Sequence, residues 1–195
     1  MTDIFDSIVS NVTKNNRVLD CGCGDGTLLE TLRKQKQVIG YGIDFDSENV
    51  MACIKKGVSV FQGDINDGLK EMPDQSFDVV ILSHTLQQVR NPIEIIKEMC
   101  RVGKHAIVTF PNFAHWRCRW KLLRGYIPET KSLPYSWYNT PNIRVISSRS
   151  FKKVCLQESI IIKKHNVTKF LCLSIHCYLH RSNNVTYQIF SLWSY

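Results

Sequence analysis

Hydrophobic positions in the first 112 residues follow two spacings in turn, and the change from one to the other marks the elements. Short apolar runs rich in valine and isoleucine end at glycine, aspartate or serine, which is typical of buried strands. Between these runs apolar residues recur every three or four positions, which predicts amphipathic helices. Predicted strands cover residues 17–21, 37–43, 58–61, 77–82 and 106–110, and predicted helices begin near Ile4, Thr27, Asp46 and Asn91.

Strand and helix alternate five times with short connections, and this order indicates a parallel sheet covered by helices on both faces. We therefore predict an α/β fold with a doubly wound, mostly parallel sheet of the Rossmann-like type. In such sheets a ligand binds beyond the carboxyl ends of the strands, where the strand order reverses. The residues that follow each predicted strand are therefore the candidates for a binding site.

The pattern changes after Asn112. Roughly 35 residues, 113–147, are rich in aromatic residues, proline and arginine, and we expect them to form a structureless aromatic-basic insertion after the fifth strand. An insertion of that length within a compact domain is usually functional. A helix capped by Ser147 or Ser148 and a sixth strand over 159–162 are predicted to follow. The chain of 195 residues is predicted to be one domain (1–195), with a core at 1–112, the insertion at 113–147 and a C-terminal part at 148–195.

Composition is that of an ordinary globular protein, with 44% hydrophobic and 22% charged residues. No apolar run is long enough to cross a bilayer and the N-terminus lacks the pattern of a secretory signal, so a cytoplasmic location is expected. The eight cysteines include no Cys-x-x-Cys pair, and we expect most of them to be small buried hydrophobic residues. Cys172, His176 and His180 have the spacing of ligands on a helix, but their segment alternates like a strand, so no metal site is predicted.

Charge is divided unevenly between the two halves of the chain. Residues 1–100 carry 10 Lys and Arg against 15 Asp and Glu, a balance of −5, whereas residues 101–195 carry 15 against 2, a balance of +13. This asymmetry indicates an anionic partner for the C-terminal half, which the sequence leaves open as an acidic protein surface, nucleic acid or a charged metabolite. A solvated basic face without a partner is the alternative.

The glycine loop between the first strand and the next helix carries the strongest ligand signal. Its glycines alternate at Gly22, Gly24 and Gly26, with carboxylates at Asp20 and Asp25. Nicotinamide and flavin sites use a different spacing and place backbone amides against a pyrophosphate, which two carboxylates would repel. Carboxylates suit instead a phosphate-free ligand with an ammonium group, such as the methionine moiety of S-adenosylmethionine (SAM). SAM is therefore the predicted cofactor.

Residues at the ends of the following strands agree with a SAM site. Asp44 is placed to bond ribose hydroxyls, and the neighbouring Phe45 to lie against the adenine. Asp64 is placed to accept a hydrogen bond from the adenine amino group while Ile65 packs on the ring. Each aspartate alone would more often be a helix cap or a turn former, but acidic residues at successive strand ends favour a cofactor site. The predicted cofactor-binding residues are Asp20, Gly22, Gly24, Asp25, Gly26, Asp44, Phe45, Asp64, Ile65, Ser83 and His84.

Residues able to catalyse methyl transfer are fewer, and a fold that binds SAM need not transfer its methyl group. The fourth strand is followed neither by the Asp/Asn-Pro-Pro-aromatic segment of enzymes that methylate amino groups of nucleic acids nor by a Pro-Cys nucleophile. If the protein is catalytic, His84 and His115 are the candidate general bases, with Tyr135 and Tyr138 as polar contacts. The alternative for each histidine is a structural hydrogen-bonding role.

The chain carries five longer motifs, at residues 18–26, 83–87, 98–103, 110–116 and 133–143. Together they resemble the methionine-biosynthesis protein MetW family, within the class I SAM-dependent methyltransferase-like superfamily. The glycine loop is shared with the whole superfamily, whereas the last two motifs are specific to the family. The resemblance covers about residues 17–164. Beyond His165 it stops, and the last strand of the sheet is expected to be poorly formed.

The resemblance implies a protein that works with the homoserine O-acyltransferase of methionine synthesis, as a partner or activator without an established methyl acceptor. It makes the insertion a candidate docking surface and SAM a candidate end-product signal. Two other functions remain open. One is a SAM-dependent methyltransferase of a small molecule, and the other is a nucleic-acid-binding protein that uses the basic half with its interleaved tryptophans and tyrosines. Nucleic acid is the less favoured partner, and no oligomeric state is predicted.

Overall fold

One seven-stranded sheet organises the computed structural model, which describes residues 2–130, 133–167 and 174–181. In chain order the strands are β1 (Arg17–Cys21), β2 (Ile39–Asp44), β3 (Ser59–Gln62), β4 (Phe77–Ser83), β5 (Gly103–Pro111), β6 (Ile160–Val167) and β7 (Ser174–Arg181). Along the sheet they follow the order β3-β2-β1-β4-β5-β7-β6. The first five pair in parallel and β7 runs antiparallel to both neighbours, so the predicted doubly wound, mostly parallel sheet is confirmed. The strand order reverses between β1 and β4, which places the expected crevice there.

Helices connect and cover the strands. Within the described residues they are α1 (Thr2–Asn11), α2 (Thr27–Lys36), α3 (Ser47–Lys55), α4 (Ile65–Lys70), α5 (Pro92–Val102), α6 (Trp116–Leu123) and α7 (Ser148–Gln157), with one 3-10 turn (Leu86–Gln88). The predicted N-termini of the helices agree with the structure where a capping residue or a proline marks them. The Asp46 side chain accepts from the Glu48 amide at 2.9 Å, Ser147 and Ser150 form a reciprocal capping box, and Pro92 is the first residue of α5.

Two of these helices are not predicted by the hydrophobic pattern. Helix α4 has only six residues, one of them Gly68, which is too short to show a period. Helix α6 lies within the insertion, and its large apolar residues are exposed while only Cys118 is buried. The expectation of a structureless insertion is therefore wrong over Trp116–Leu123. A helix forms there although its large apolar side chains do not cover the core.

The C-terminal strands complete the sheet rather than fray from it. Strand β7 pairs with β5 from Ala106–Leu179 to Pro111–Ser174, and with β6 on its other side. The expectation of a poorly formed last strand is therefore wrong, since β7 has a partner on each side. The strand predicted around His176 and His180 is confirmed, and Cys172 lies outside the described residues. Within the part of the chain that the structure describes, no group of three potential ligands lies close enough to hold a metal ion.

Apolar side chains from the central strands fill two clusters, one on each face of the sheet. Leu19, Val80 and Leu82 pack with residues of α5 on one face, whereas Val18 and Val79 pack with residues of α1 and α2 on the other. Strands buried on both faces carry continuous apolar runs, which is why the sequence pattern finds them readily. The result is a rigid frame whose strand ends hold the candidate site.

The cysteines whose side chains the structure describes behave as predicted. Six of them are free and buried, as expected for small hydrophobic residues in a core. They are Cys21, Cys23, Cys53, Cys100, Cys118 and Cys155. No helix within the described ranges has both the length and the apolar character needed to span a membrane.

Candidate functional site

The glycine loop after β1 needs its glycines for conformation and for space. Gly22, Gly24 and Gly26 have φ angles of 72°, 54° and 75°, a region that side chains disfavour. A Cβ on Gly22 would lie 2.7 Å from the hydroxyl oxygen of Thr85, which follows β4. The loop therefore packs directly against the turn after β4, at the point of the sheet where the strand order reverses.

Asp44 joins the glycine loop to the end of β2. Its Oδ2 accepts from the Gly24 amide at 2.7 Å, and its Oδ1 accepts from the Asp46 amide at 3.0 Å and the Asn49 side chain at 3.2 Å. The residue is only 5% exposed. Asp44 thus holds the loop in place, a positioning role that accompanies the ribose contact predicted for it.

Asp20 is the most unusual polar residue at this edge of the sheet. It is 2% exposed, and its Oδ1 has no hydrogen-bond partner among the described residues. Burial, helped by the nearby negative charge of Asp44, raises the pKa of Asp20 to about 7. A buried carboxylate without a partner is costly, and it is most easily explained by a ligand that supplies a donor or a positive charge.

Two of the predicted ligand carboxylates already have partners within the protein. Asp25 is exposed, accepts from Lys56 Nζ at 2.7 Å and caps the start of α2 through Thr27. The Lys56 ammonium, with the Thr27 hydroxyl, lowers the pKa of Asp25 to about 2. Asp64 is exposed and caps α4 by accepting from the Asn66 amide at 2.8 Å. The structural alternative that the sequence left open, a helix cap, is thus realised for Asp64, and the contacts of Asp25 and Asp64 with a cofactor stay predictions.

Two glycines that contact Asp44, Gly24 and Gly63, each have open space beside their Cα atom. The Gly24 amide donates to the Asp44 side chain and the Gly63 amide donates to the Asp44 carbonyl at 3.0 Å. None of the described atoms lies within 4 Å of the position that a Cβ would take on Gly24 or Gly63. Phe45, beside Asp44, is 79% exposed, while Ile65 is half-buried against the core. This arrangement suits the ring contacts that the sequence predicts for Phe45 and Ile65.

His84 directly follows β4 and has a strained backbone conformation that Thr109 of β5 holds. Its φ is 55°, and its amide donates to the Thr109 carbonyl and hydroxyl oxygens, each at 3.1 Å. Thr109 is fully buried, and its hydroxyl also lies 3.3 Å from that of Ser83. Burial lowers the pKa of His84 to about 4, so its imidazole is neutral at pH 7.

Thr109 and Gln87 are functional candidates that the sequence reasoning missed. Thr109 is a lone polar residue within an apolar strand, and that signal was available in the sequence. Gln87 is 4% exposed and donates through Nε2 to the His84 carbonyl at 2.6 Å. The backbone carbonyl of Gln87 also accepts hydrogen bonds from the backbone amides of Ile143 and Arg144, which belong to the insertion. In the sequence Gln87 is singled out only as the last residue of the 83–87 motif, because its role depends on contacts across the fold.

The remaining catalytic candidates lie in the insertion. His115 caps α6 by accepting from the Arg117 amide at 3.4 Å, and burial together with Arg117 lowers the pKa of its imidazole. Tyr135 and Tyr138 are 45% and 73% exposed, and Tyr138 packs edge-on against Trp137. The structural alternative is therefore realised for His115. Catalytic roles for these three residues and for His84 stay predictions.

Comparison with known proteins decides the family. A family model described as methionine biosynthesis protein MetW matches residues 2–187. The chain belongs to the MetW family. The match extends through β7, so the expectation that MetW resemblance stops near His165 is wrong.

The similarity covers the MetW part of a larger relative. The chain is 35% identical over 167 residues to a bifunctional methionine biosynthesis protein MetXA/MetW of Rhodopirellula baltica. The match takes in 80% of this chain but only 27% of the relative. In that relative a MetW-like part is therefore joined to a longer second part within one protein.

Solved structures with this fold include methyltransferases and an enzyme of another kind. The MetW-family chain superposes with a TM-score of 0.69 on the magnesium protoporphyrin IX methyltransferase of Synechocystis with bound SAH, at 18% identity, covering 92% of this chain and 83% of that one. The [4+2]-cyclase SpnF gives a TM-score of 0.70 at 14% identity, covering 92% and 80%. At such identities only the fold is shared, and the fold alone does not decide between methyl transfer and another activity.

Proposed function

We propose that this MetW-family protein binds SAM at the carboxyl edge of its sheet and acts in methionine biosynthesis with a homoserine O-acyltransferase. The observation that carries the cofactor proposal is Asp20, a buried carboxylate oxygen without a partner beneath a glycine loop. The ammonium group of the methionine moiety would supply the missing donor and charge. The fused MetXA/MetW relative supports the acyltransferase partner. A cytoplasmic location is part of the proposal.

The residues would divide the binding of SAM among three strand ends. Asp20 and the backbone of Gly22 and Gly24 would hold the methionine moiety, Asp44 the ribose, and Phe45 with Ile65 the adenine. When bound, SAM supplies a methyl group activated by its sulfonium. The chain itself fixes the loop through Asp44, holds the backbone of His84 through Thr109, and excludes water from Asp20 by burial.

Calorimetric titration with SAM and with its demethylated product tests the cofactor proposal. We expect the wild type to bind both, Asp44→Ala to lose binding, and Asp20→Asn to bind at least tenfold more weakly because the anionic acceptor is gone. The matched control is Asp67→Asn, an exposed carboxylate on α4, which should bind as the wild type does. Equal binding by the Asp20→Asn variant would remove the observation on which the proposal rests.

The acyltransferase proposal needs its own measurement. The MetW-family protein should co-purify with the homoserine O-acyltransferase of the same organism and change its rate of acylation. Absence of both association and rate change would refute this part while leaving SAM binding intact.

A second candidate function is methyl transfer to a small molecule. The observation behind it is His84, which directly follows β4 and whose imidazole is neutral at pH 7 and so has a nitrogen free of a proton, although its lowered pKa makes it a weak base. Incubation with SAM labelled in its methyl group and with cell metabolites should give a labelled product that is lost in the His84→Ala variant. Absence of labelled product with the wild type would exclude this candidate.

A further inference from the structure

Helix α6 displays its large apolar side chains to solvent. Trp116, Trp120 and Leu123 are spaced by four and three residues, so they share one face of the helix. They are 64%, 54% and 80% exposed. On the inward side the small residue Cys118 is fully buried and packs with Leu133 and Phe113. An apolar stripe of this kind on a folded protein marks an interaction site.

Arginines extend the same stripe. The Arg117 guanidinium lies 5.3 Å from the centre of the Trp116 ring, and that of Arg124 lies 5.0 Å from the centre of the Trp120 ring. These cation–π contacts hold the long side chains over the rings and reduce the entropy that they would lose on binding. Tryptophan and arginine are also the residues that contribute most to protein–protein interfaces. We call Trp116, Arg117, Trp120, Leu123 and Arg124 the α6 surface.

The charge around the α6 surface selects the kind of partner. In the sequence of the insertion (113–147) six lysines and arginines stand against one acid, Glu129. A partner that covers the tryptophans must therefore bring carboxylates to the guanidinium groups as well as an apolar groove to the rings. The basic residues of α6 and of its C-terminal end are Arg117, Arg119, Lys121 and Arg124.

The position of the insertion connects this surface to the candidate cofactor site. The amides of Ile143 and Arg144 donate to the Gln87 carbonyl at 2.9 and 3.0 Å, and Gln87 contacts His84 through its side chain. Arg144 also donates to the Arg90 carbonyl at 2.7 Å. The insertion that carries the α6 surface therefore also contacts the turn after β4, through a different part of its length.

We propose that the α6 surface docks into a groove on the homoserine O-acyltransferase whose floor is apolar and whose rim carries carboxylates. The proposal rests on the function proposed above and adds to it the surface and the chemistry of recognition. We choose this partner because in one relative a MetW-like part and a second part named MetXA belong to the same chain. Tryptophan side chains fill the apolar groove, and Arg117 and Arg124 pair with carboxylates at its rim.

Binding of the acyltransferase to matched variants, measured by sedimentation or calorimetry at two salt concentrations, tests the surface. Trp120→Ala combined with Leu123→Asp removes the apolar stripe, and Arg117→Glu combined with Arg124→Glu reverses the charge. We expect each double variant to weaken binding at least tenfold. The controls lie on α7, where Leu156 is 76% exposed and Lys152 and Lys153 are exposed. Leu156→Asp, and Lys152→Glu with Lys153→Glu, should bind as the wild type does.

Calorimetry with SAM and thermal unfolding show whether the variants are folded, since the changed side chains are exposed and should alter neither. If the wild type does not bind the acyltransferase, the proposed partner fails. If the wild type binds and the α6 variants bind equally well, only the proposed surface is wrong. Two other results would overturn the proposal. If the α6 variants bind the acyltransferase normally but lose self-association, the surface binds another copy of this chain. If they bind it normally but lose salt-sensitive RNA binding, the surface binds nucleic acid.

Discussion

At the scale of single residues, the candidate site combines one costly buried carboxylate with one strained backbone position. Asp20 lacks a partner for one oxygen, and His84 adopts a left-handed conformation that Thr109 holds through two hydrogen bonds from its amide. Both features reduce the stability of the ligand-free protein. Features of this kind are typical of binding sites, where a ligand compensates for them.

Replacing Asp20 by Asn should stabilise the ligand-free protein at pH 8. Burial raises the pKa of Asp20 from about 3.8 to about 7, so the folded protein binds this proton more tightly than the unfolded chain does. The free energy of unfolding is therefore highest with Asp20 protonated, in full below pH 3.8, and this contribution is lost as the pH rises through 7. The neutral amide escapes this loss, so we expect the free energy of unfolding at pH 8 to rise by about 1–3 kcal/mol, with a smaller gain near pH 5. Urea unfolding at both pH values measures the difference. A gain that is equal at both would contradict a titrating Asp20.

The same pKa predicts how SAM binding depends on pH. A cationic ligand favours the carboxylate, so binding below pH 7 releases a proton from Asp20. Affinity should therefore rise several-fold between pH 6 and 7.5, a range below the ordinary α-amino pKa of about 7.7–8.0. Calorimetry in buffers with different ionisation enthalpies would detect the proton. In Asp20→Asn the dependence should disappear.

Thr109→Val tests the support of His84 with little change in volume. The variant keeps the bond to the carbonyl at position 109 but loses the hydroxyl that contacts the His84 amide and Ser83. We expect a loss of about 1–2 kcal/mol in stability and a weaker affinity for SAM. Thr31→Val, which removes a hydroxyl on α2 that bonds only to the Thr27 carbonyl among the described contacts, is the matched control and should leave SAM affinity unchanged.

At the scale of elements, the glycine loop shows two different reasons for glycine. Gly24 needs its left-handed backbone but has open space beside it, whereas Gly22 combines a left-handed backbone with a contact at 2.7 Å from the position of a Cβ. We expect Gly24→Ala to cost about 1 kcal/mol of stability. Gly22→Ala should cost roughly 2–4 kcal/mol because Thr85 must also move.

Thermal unfolding of the two glycine variants, together with the Gly22→Ala, Thr85→Ala double variant, separates strain from collision. Removing the Thr85 side chain should restore part of the loss at Gly22. No restoration would mean that the contact with Thr85 is not the cause.

Helix α6 is the element that departs furthest from the usual relation between pattern and burial. A helix is ordinarily recognised because its apolar face covers the core. In α6 the apolar face is exposed, and a capping histidine with one buried cysteine fixes the helix. Helix formation and docking are therefore served by different faces, which is why the double variants proposed above should remain folded.

At the scale of the whole molecule, the sheet depends on its last strand. β7 lies between β5 and β6, so its loss would separate β6 from the remainder of the sheet. Cys177 pairs with Val108 of β5, and Cys177→Pro would remove a backbone donor within a central strand. We expect that variant to be insoluble or to unfold at markedly lower temperature. Cys177→Ser keeps the backbone donor and should fold, and equal behaviour of the two would contradict the central position of β7.

The sequence by itself determined the parallel core, because short apolar strands alternate with amphipathic helices and each connection is short. The alternating glycines, together with Asp20 and Asp44, located the candidate site in the sequence, and the longer motifs pointed to the MetW family. Tertiary structure decided how the carboxylates are used. Lys56 reaches Asp25 from a site 31 residues away, while burial leaves an oxygen of Asp20 without a partner in the described structure. It also decided which face of α6 is exposed and that Gln87 joins the insertion to His84. Such outcomes depend on contacts between distant segments, which local spacing does not encode.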